Sequence, residues 1–322
     1  MYGKRARKDG NQSSLGEFIL LGVSDWPQLE LLLFVHILMS YNITLIGNIT
    51  IIVVSWLDPH LHTPMYFFLS NLSFLDLCYT ISFGPQMLLN FQNTHKSISW
   101  AGCMAQFYIS LSLGCTKCLL LAIIAYDRYT AIYQPLLYIA IISVCLCLQL
   151  VATAWLCSFS KSILQAILTL RLPRCGRNQI DNLFCEVWAL LKLAYVDTSD
   201  NEAEVLAGSV IFLVVRLGFI LMSYSYIGTA VLKICSAKGR FKAFNTCASH
   251  LAVVSLVYGT AISTYLQLPS FFYTMNRGKI LSLFYATVTP MLNPLIYMLR
   301  NKEVHRALRR AHIYSCHPSS TP

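Results

Sequence analysis

The sequence is short of charge. Only 12% of its 322 residues are Asp, Glu, Lys or Arg, about half of the roughly 25% carried by an average soluble domain. A soluble monomer of this length could not wet its surface with so few. A soluble enzyme, a disordered tail, a coiled coil and a disulfide-dense secreted domain all fit poorly. Catalytic and cofactor signatures are missing too: there is no Gly-rich phosphate loop, no HExxH helix and no nucleophile–base pair. No CxxC-type zinc spacing appears, and Cys145-Leu146-Cys147 inside an apolar run is not a credible ligand set. The chain is therefore expected to be no enzyme and to need no cofactor or metal. What it has in quantity is grease: 56% of residues are hydrophobic and the mean hydropathy is +0.57. The net charge of +10 suits basic segments beside anionic membrane lipid better than a nucleic-acid surface.

A helix rising 1.5 Å per residue needs about 20 apolar residues to cross roughly 30 Å of hydrocarbon. Seven stretches qualify, giving spans at about 29–57, 61–90, 98–132, 136–160, 203–233, 243–269 and 279–299; away from their ends they are broken only by Asp76, Lys117 and Arg216. Transmembrane strands would alternate at period two, and blocks such as LLLFVHILM and LAVVSLVYG do not. The expected fold is all-α: a seven-helix membrane bundle at 29–300, an extracellular N-terminus at 1–28, and a cytoplasmic amphipathic helix and tail at 301–322. The first apolar block begins near Leu31 and is too long for a signal-peptide core, so it reads as a signal anchor. No internal repeat supports a transporter of inverted-repeat design.

An odd number of spans puts the termini on opposite sides. Lys233, Lys238, Arg240 and Lys242, then Arg300, Lys302, Arg306, Arg309 and Arg310, crowd the helix ends of one side, which marks it as cytoplasmic. The other side carries no fewer cations, but Lys4, Arg5, Arg7 and Lys8 lie too far from the first span to count for much. Asn11-Gln12-Ser13 is a glycosylation sequon in the polar N-terminus, consistent with an outside N-terminus at a plasma membrane.

Several motifs are specific. The third span ends Asp127-Arg128-Tyr129, the second opens LHTPMYFFLSNLS from Leu61, and the sixth opens KAFNTCASHL from Lys242. The seventh ends with Asn293-Pro294 and Tyr297; Gly47-Asn48 and Ser223-Tyr224 stand in the first and fifth. Together these residues resemble an olfactory receptor of the rhodopsin-like G-protein-coupled class, over essentially Glu17 to Leu308. The resemblance implies a small volatile lipophilic ligand, a heterotrimeric G protein of the olfactory stimulatory type, and cyclic AMP as the output. A receptor of the same family acting outside the nose is one alternative. An ion-conducting or transport protein, suggested only by Asp76, Lys117 and Arg216, is another.

By that resemblance the ligand sits in the outer half of the bundle. Ser110, Leu111, Gly114 and Cys115 would face Gly208, Ser209 and Phe212, with Tyr258, Ala261, Ile262 and Tyr265 on the sixth helix; for each, helix packing is the plain alternative. Activation would run through Asp127, Arg128, Tyr129, Tyr224, His250, Asn293, Pro294 and Tyr297. An Asp–Arg pair at a helix end can hold itself neutral at rest and release the Arg when helices part. Pro294 removes a backbone hydrogen bond and leaves a kink. Cys103 and Cys185 match the family's helix-to-loop disulfide, on an oxidising side. Cys175 matches one member of a further pair, but Tyr195 stands where its partner is expected, so Cys175 is unpaired or paired elsewhere. The other cysteines read as small buried hydrophobes.

Three departures stand out. Lys117 occupies a position where relatives carry Glu, and a mid-membrane Lys costs on the order of 3 kcal/mol unless paired. Asp76 lies equally deep in its own helix, about 21 Å above the cytoplasmic face, so the two are expected to form a buried ion pair. Arg216 stands where relatives are uncharged, with no partner evident from sequence. Tyr133 and Gln134 replace the more usual Cys-Asn.

Overall fold

The computed structural model describes residues 17–21, 27–93, 96–173, 178–233, 236–265, 275–300, 304 and 306–310. Asn11, Cys175, Lys302 and residues 311–322 lie outside them. The long helices are α1 (Pro27–Leu57), α2 (Pro64–Gln92) and α3 (Trp100–Tyr133). The short α4 (Pro135–Ile141) and α5 (Val144–Leu170) follow, then the short α6 (Val187–Leu191), α7 (Ser199–Leu232), α8 (Ala237–Tyr265) and α9 (Met275–Arg300). Seven of these are the long rods of a bundle.

Local chemistry sets the ends. Pro27 and Pro64 occupy first-turn positions, where a missing N–H matters least. Asp58 precedes Pro59, stops α1, and accepts the His60 amide at 3.0 Å to cap one 3₁₀ turn. Ser99 and Ser143 cap α3 and α5 by accepting from Gly102 and Leu146. Ser143 also accounts for a difference from the expected fourth span at 136–160. The chain breaks after Ile141, restarts at the Ser143 cap and continues to Leu170, so Lys161 lies well inside the helix.

Burial is inverted relative to a soluble protein. The apolar stretch in α7 is the greasiest of the candidate spans and the least buried, at 17%. Trp56, Leu32, Leu156 and Ile211 all face outward, which water would penalise and hydrocarbon welcomes. The interior is instead studded with polar groups such as Thr44, Asn48, Asp76, Thr116 and Lys117. The remaining cysteines divide: Cys115, Cys118, Cys147 and Cys247 are buried, whereas Cys145 and Cys157 are exposed on the outer surface of α5, contrary to the expectation that these residues are packed inside.

α3 runs through the middle, packing on α2, α5, α7 and α8, and its Leu120, Leu121 and Ala125 are fully buried. α1 closes against α9 at Gly47, where an added Cβ would stand 2.8 Å from Pro294. Beyond α9, residues 306–310 are helical. Val304 and Ala307 point inward, and Arg310 Nε bonds Asp58 Oδ2 at 3.0 Å, so this amphipathic segment is tied to the α1–α2 turn.

A small sheet covers the N-terminal face. β1 (Glu17–Leu20) pairs antiparallel with β2 (Ser97–Ser99) and parallel with β3 (Gln179–Ile180). Phe18, Leu20 and Ile180 bury into a separate apolar cluster with Cys103 and Phe107. The segment 1–28, expected only as an extracellular N-terminus, thus contains a strand.

Candidate functional site

Beneath that sheet lies a cavity of about 60 Å³, room for roughly four to six waters by the one-sphere measure. α3 supplies one wall through Ser110, Leu111, Gly114, Cys115 and Cys118, with Phe107 above them. Successive lining positions three and four apart are what one face of a helix presents. α7 contributes Ser209, Phe212 and Leu213; α8 gives Ala261, α2 gives Tyr79 and α9 gives Tyr285. Lys161 of α5, Glu186 of the loop and Val187 at the start of α6 close the lining.

Of the residues expected here, Ser110, Leu111, Gly114, Cys115, Ser209, Phe212 and Ala261 line the cavity. Three others do not. Tyr258 is turned into the core, where its hydroxyl donates to the Cys118 carbonyl at 3.1 Å. Ile262 packs on the main core, and an added Cβ at Gly208 would meet no atom within 4 Å. The Tyr265 side chain lies outside the described residues. The sequence does not point to the other lining residues, Tyr79, Phe107, Cys118, Val187, Leu213 and Tyr285 and the two charged ones, Lys161 and Glu186. Lys161 was overlooked because the fourth span was ended before it, and Glu186 because nothing local marks a loop carboxylate as buried.

The roof is fastened at four points. Cys103 and Cys185 form a disulfide, and the Cys185 amide donates to Gln106 Oε1 at 3.0 Å. Asp181 pairs with Lys279 of α9 at 2.5 Å. Glu186 accepts from Ser282 at 2.9 Å and from Asn182 at 3.2 Å. Burial pushes the Glu186 carboxyl up to about 7, outweighing those two hydrogen bonds, which pull it down.

Below the cavity is a charged centre. Lys117 Nζ lies 2.5 Å from Asp76 Oδ1, and Asn293 Nδ2 donates to Asp76 Oδ2 at 2.6 Å. Both Asp76 and Lys117 are almost wholly buried. One carboxylate thus joins α2, α3 and α9, and each of its oxygens has a donor. Arg216 finds its place in the backbone and an aromatic face: NH1 donates to the Phe212 carbonyl at 3.2 Å, and the guanidinium stacks 3.1 Å from the centre of the Phe212 ring.

At the opposite end, Asp127 is held more by Tyr138 than by its neighbour. The Tyr138 hydroxyl donates to Asp127 Oδ1 at 2.8 Å, while Arg128 approaches Oδ2 only to 3.9 Å. Tyr129 stacks on Tyr133. His250 Nδ1 meets the Tyr224 hydroxyl at 2.6 Å and links α8 to α7. Tyr297 is half-buried and packs on the core, and Pro294 faces Gly47.

A family model described as olfactory receptor matches residues 37–314. The chain is 54% identical to human olfactory receptor 2G3 over 301 residues, 94% of this chain and 97% of that one. It is 57% identical to human olfactory receptor 2B2 over 300 residues, 93% and 84% of the two chains. With mouse olfactory receptor 2B6 the identity is 55% over 300 residues, 93% and 96%. Squid rhodopsin shares the seven-helix fold with a TM-score of 0.67 at 18% identity, covering 92% of this chain and 89% of that one. A seven-helix bundle with a roofed cavity at one end and Asp127-Arg128 at the other, carrying a match over most of its length, belongs to the olfactory receptor family.

Proposed function

We propose that this chain is an odorant receptor of the plasma membrane, N-terminus outside, whose occupied cavity activates a heterotrimeric G protein of the olfactory stimulatory type and raises cyclic AMP. The observation that carries the reading is the cavity itself. It is partly covered by the loop, mostly apolar, and bounded by helices that also reach the Arg128 end. A ligand lodged between α3, α7 and α8 changes the relative stability of bundle states only by its different affinity for each. The favoured state is one in which the cytoplasmic end of α8 swings away from α3. That motion separates the linked Tyr224 and His250 from the Arg128 region and frees the guanidinium for a partner helix. The basic segment from Lys233 to Lys242 lies on the same end.

No covalent chemistry is required. An ion-conducting reading has less support, because the Asp76 carboxylate is closed on both sides by Lys117 and Asn293 and offers no open path. The test is a cyclic-AMP assay in transfected cells against an odorant panel. A ligand-dependent rise that Arg128→Ala abolishes at unchanged surface expression is the expected result. Currents across a bilayer holding the purified chain alone would overturn it.

A further inference from the structure

Two cations share one aromatic ring at the edge of the cavity. Lys161 Nζ lies 3.8 Å from the centre of the Phe212 ring, and the Arg216 guanidinium lies 3.1 Å from the same centre. They come from different helices, α5 and α7, so the fold and not helical periodicity brings them together. Among the described residues neither has a carboxylate within salt-bridge distance. The buried lysines are matched, Lys117 by Asp76 and Lys279 by Asp181, whereas Lys161 is only partly buried. The cavity's own carboxylate, Glu186, is occupied by Ser282 and Asn182. Lys161 thus holds its charge at the cavity wall against the face of Phe212, which compensates a cation less fully than a carboxylate would. An anion in the cavity beside Lys161 would gain a charge-assisted hydrogen bond.

We propose, resting on the reading of this cavity as the ligand site, that it selects acidic ligands: small molecules with a carboxylate head against Lys161 and a short apolar body toward Leu111, Leu213 and Ala261. The cavity's size limits the body to a few carbons before side chains must move. Specificity follows from what is left unpaired. A neutral ester or alcohol of equal length fills the same apolar space but leaves Lys161 without an anion, whereas a cationic amine brings a second positive charge to it.

The test is thermal unfolding of the purified full chain in lipid nanodiscs with matched probes: hexanoate, methyl hexanoate and hexylamine. Hexanoate is expected to stabilise the protein at concentrations at least tenfold below those needed for methyl hexanoate, with hexylamine inactive. Lys161→Met should remove that tenfold advantage while leaving the ester's effect unchanged, and Lys161→Arg should keep most of it. Gly114→Leu, which fills the cavity wall, should abolish both effects. Equal potency of acid and ester, both lost in Gly114→Leu, would refute the acid selectivity but leave the cavity as the ligand site. Shifts that survive Gly114→Leu, or none from any probe, would refute both.

Discussion

Asn48 Nδ2 donates to the Pro290 carbonyl at 3.4 Å, across from α1 to α9. That carbonyl is the one orphaned by the sequence itself, because its helical partner would be the N–H of residue 294, and Pro294 has none. Gly47, the residue before, lets the two helices approach closely enough for the contact: a Cβ there would stand 2.8 Å from Pro294. Gly47-Asn48 and Asn293-Pro294, far apart in the chain, are thus two halves of one device. Pro294 stays within the helix, and the backbone carbonyl it frees is satisfied in a medium without water.

Asn48→Ala should therefore destabilise the bundle by about 1–3 kcal/mol, the usual penalty for a buried polar group left unsatisfied. The thermal midpoint of the purified protein reads it. Gly47→Val should lower the same midpoint by separating α1 from α9, and adding it to Asn48→Ala should cost little more, since both break one contact.

Lys117 and Asp76 form a second coupled pair. Lys117→Met strands a buried carboxylate, an error worth about 3–5 kcal/mol, and surface expression should fall steeply. The double change Lys117→Met with Asp76→Asn removes both charges and should recover most of that loss. Lys117→Glu places a second carboxylate beside the first and should make stability rise with sodium concentration. Lack of any sodium response in that variant would count against direct pairing of the two sites.

Much of this was legible in the residues. Hydrocarbon demands long uninterrupted runs, so the seven rods stand out, and equal depth along two helices was enough to pair Asp76 with Lys117. Three things were not legible. The β1 strand gains its partners from Ser97–Ser99 and Gln179–Ile180, which no local pattern announces. The break at Ser143 is a single side-chain cap, too small a signal to shift a span boundary that apolar content alone had drawn. Lys161 and Arg216 meet over Phe212 only because α5 and α7 both pack on α3 or its neighbours, a tertiary fact. The reverse error has the same origin. Tyr258 and Ile262 sit at plausible depths, but rotation about the helix axis turns them into the core, and depth carries no information on rotation.

Glu186 gives the roof a pH dependence with a definite sign. Its carboxyl is raised from an ordinary 4.5 to about 7 by burial. Below about 4.5 it is protonated whether the protein is folded or not and contributes nothing. Between the two values the folded chain keeps a proton that the unfolded chain has lost, so stability falls as pH rises, and the loss is complete above about 7. The thermal midpoint should fall between pH 5 and pH 8 in the wild type. Glu186→Gln, which keeps an acceptor for Ser282 or Asn182 without the charge, should fall less over that range.

Tyr138 offers the sharpest test of how the Arg128 end is restrained. Its hydroxyl, not the Arg128 guanidinium, makes the close bond to Asp127, at 2.8 Å against 3.9 Å. A phenol that donates to a carboxylate fixes the carboxylate's position while leaving its charge in place. Tyr138→Phe removes that tether but keeps the ring's packing. If Tyr138 positions Asp127 at rest, the freed carboxylate will reorient toward Arg128, tighten the ion pair, and lower ligand-independent cyclic AMP. If the tether itself holds α4 and the α3 end in the inactive arrangement, basal cyclic AMP will rise instead. The second outcome is expected, by about two- to twelvefold, because a buried donor–acceptor pair of this kind contributes roughly 0.5–1.5 kcal/mol to the state that contains it. Basal reporter activity normalised to surface receptor decides between them, and Asp127→Asn in the same assay should raise basal activity as well, by weakening the same bond.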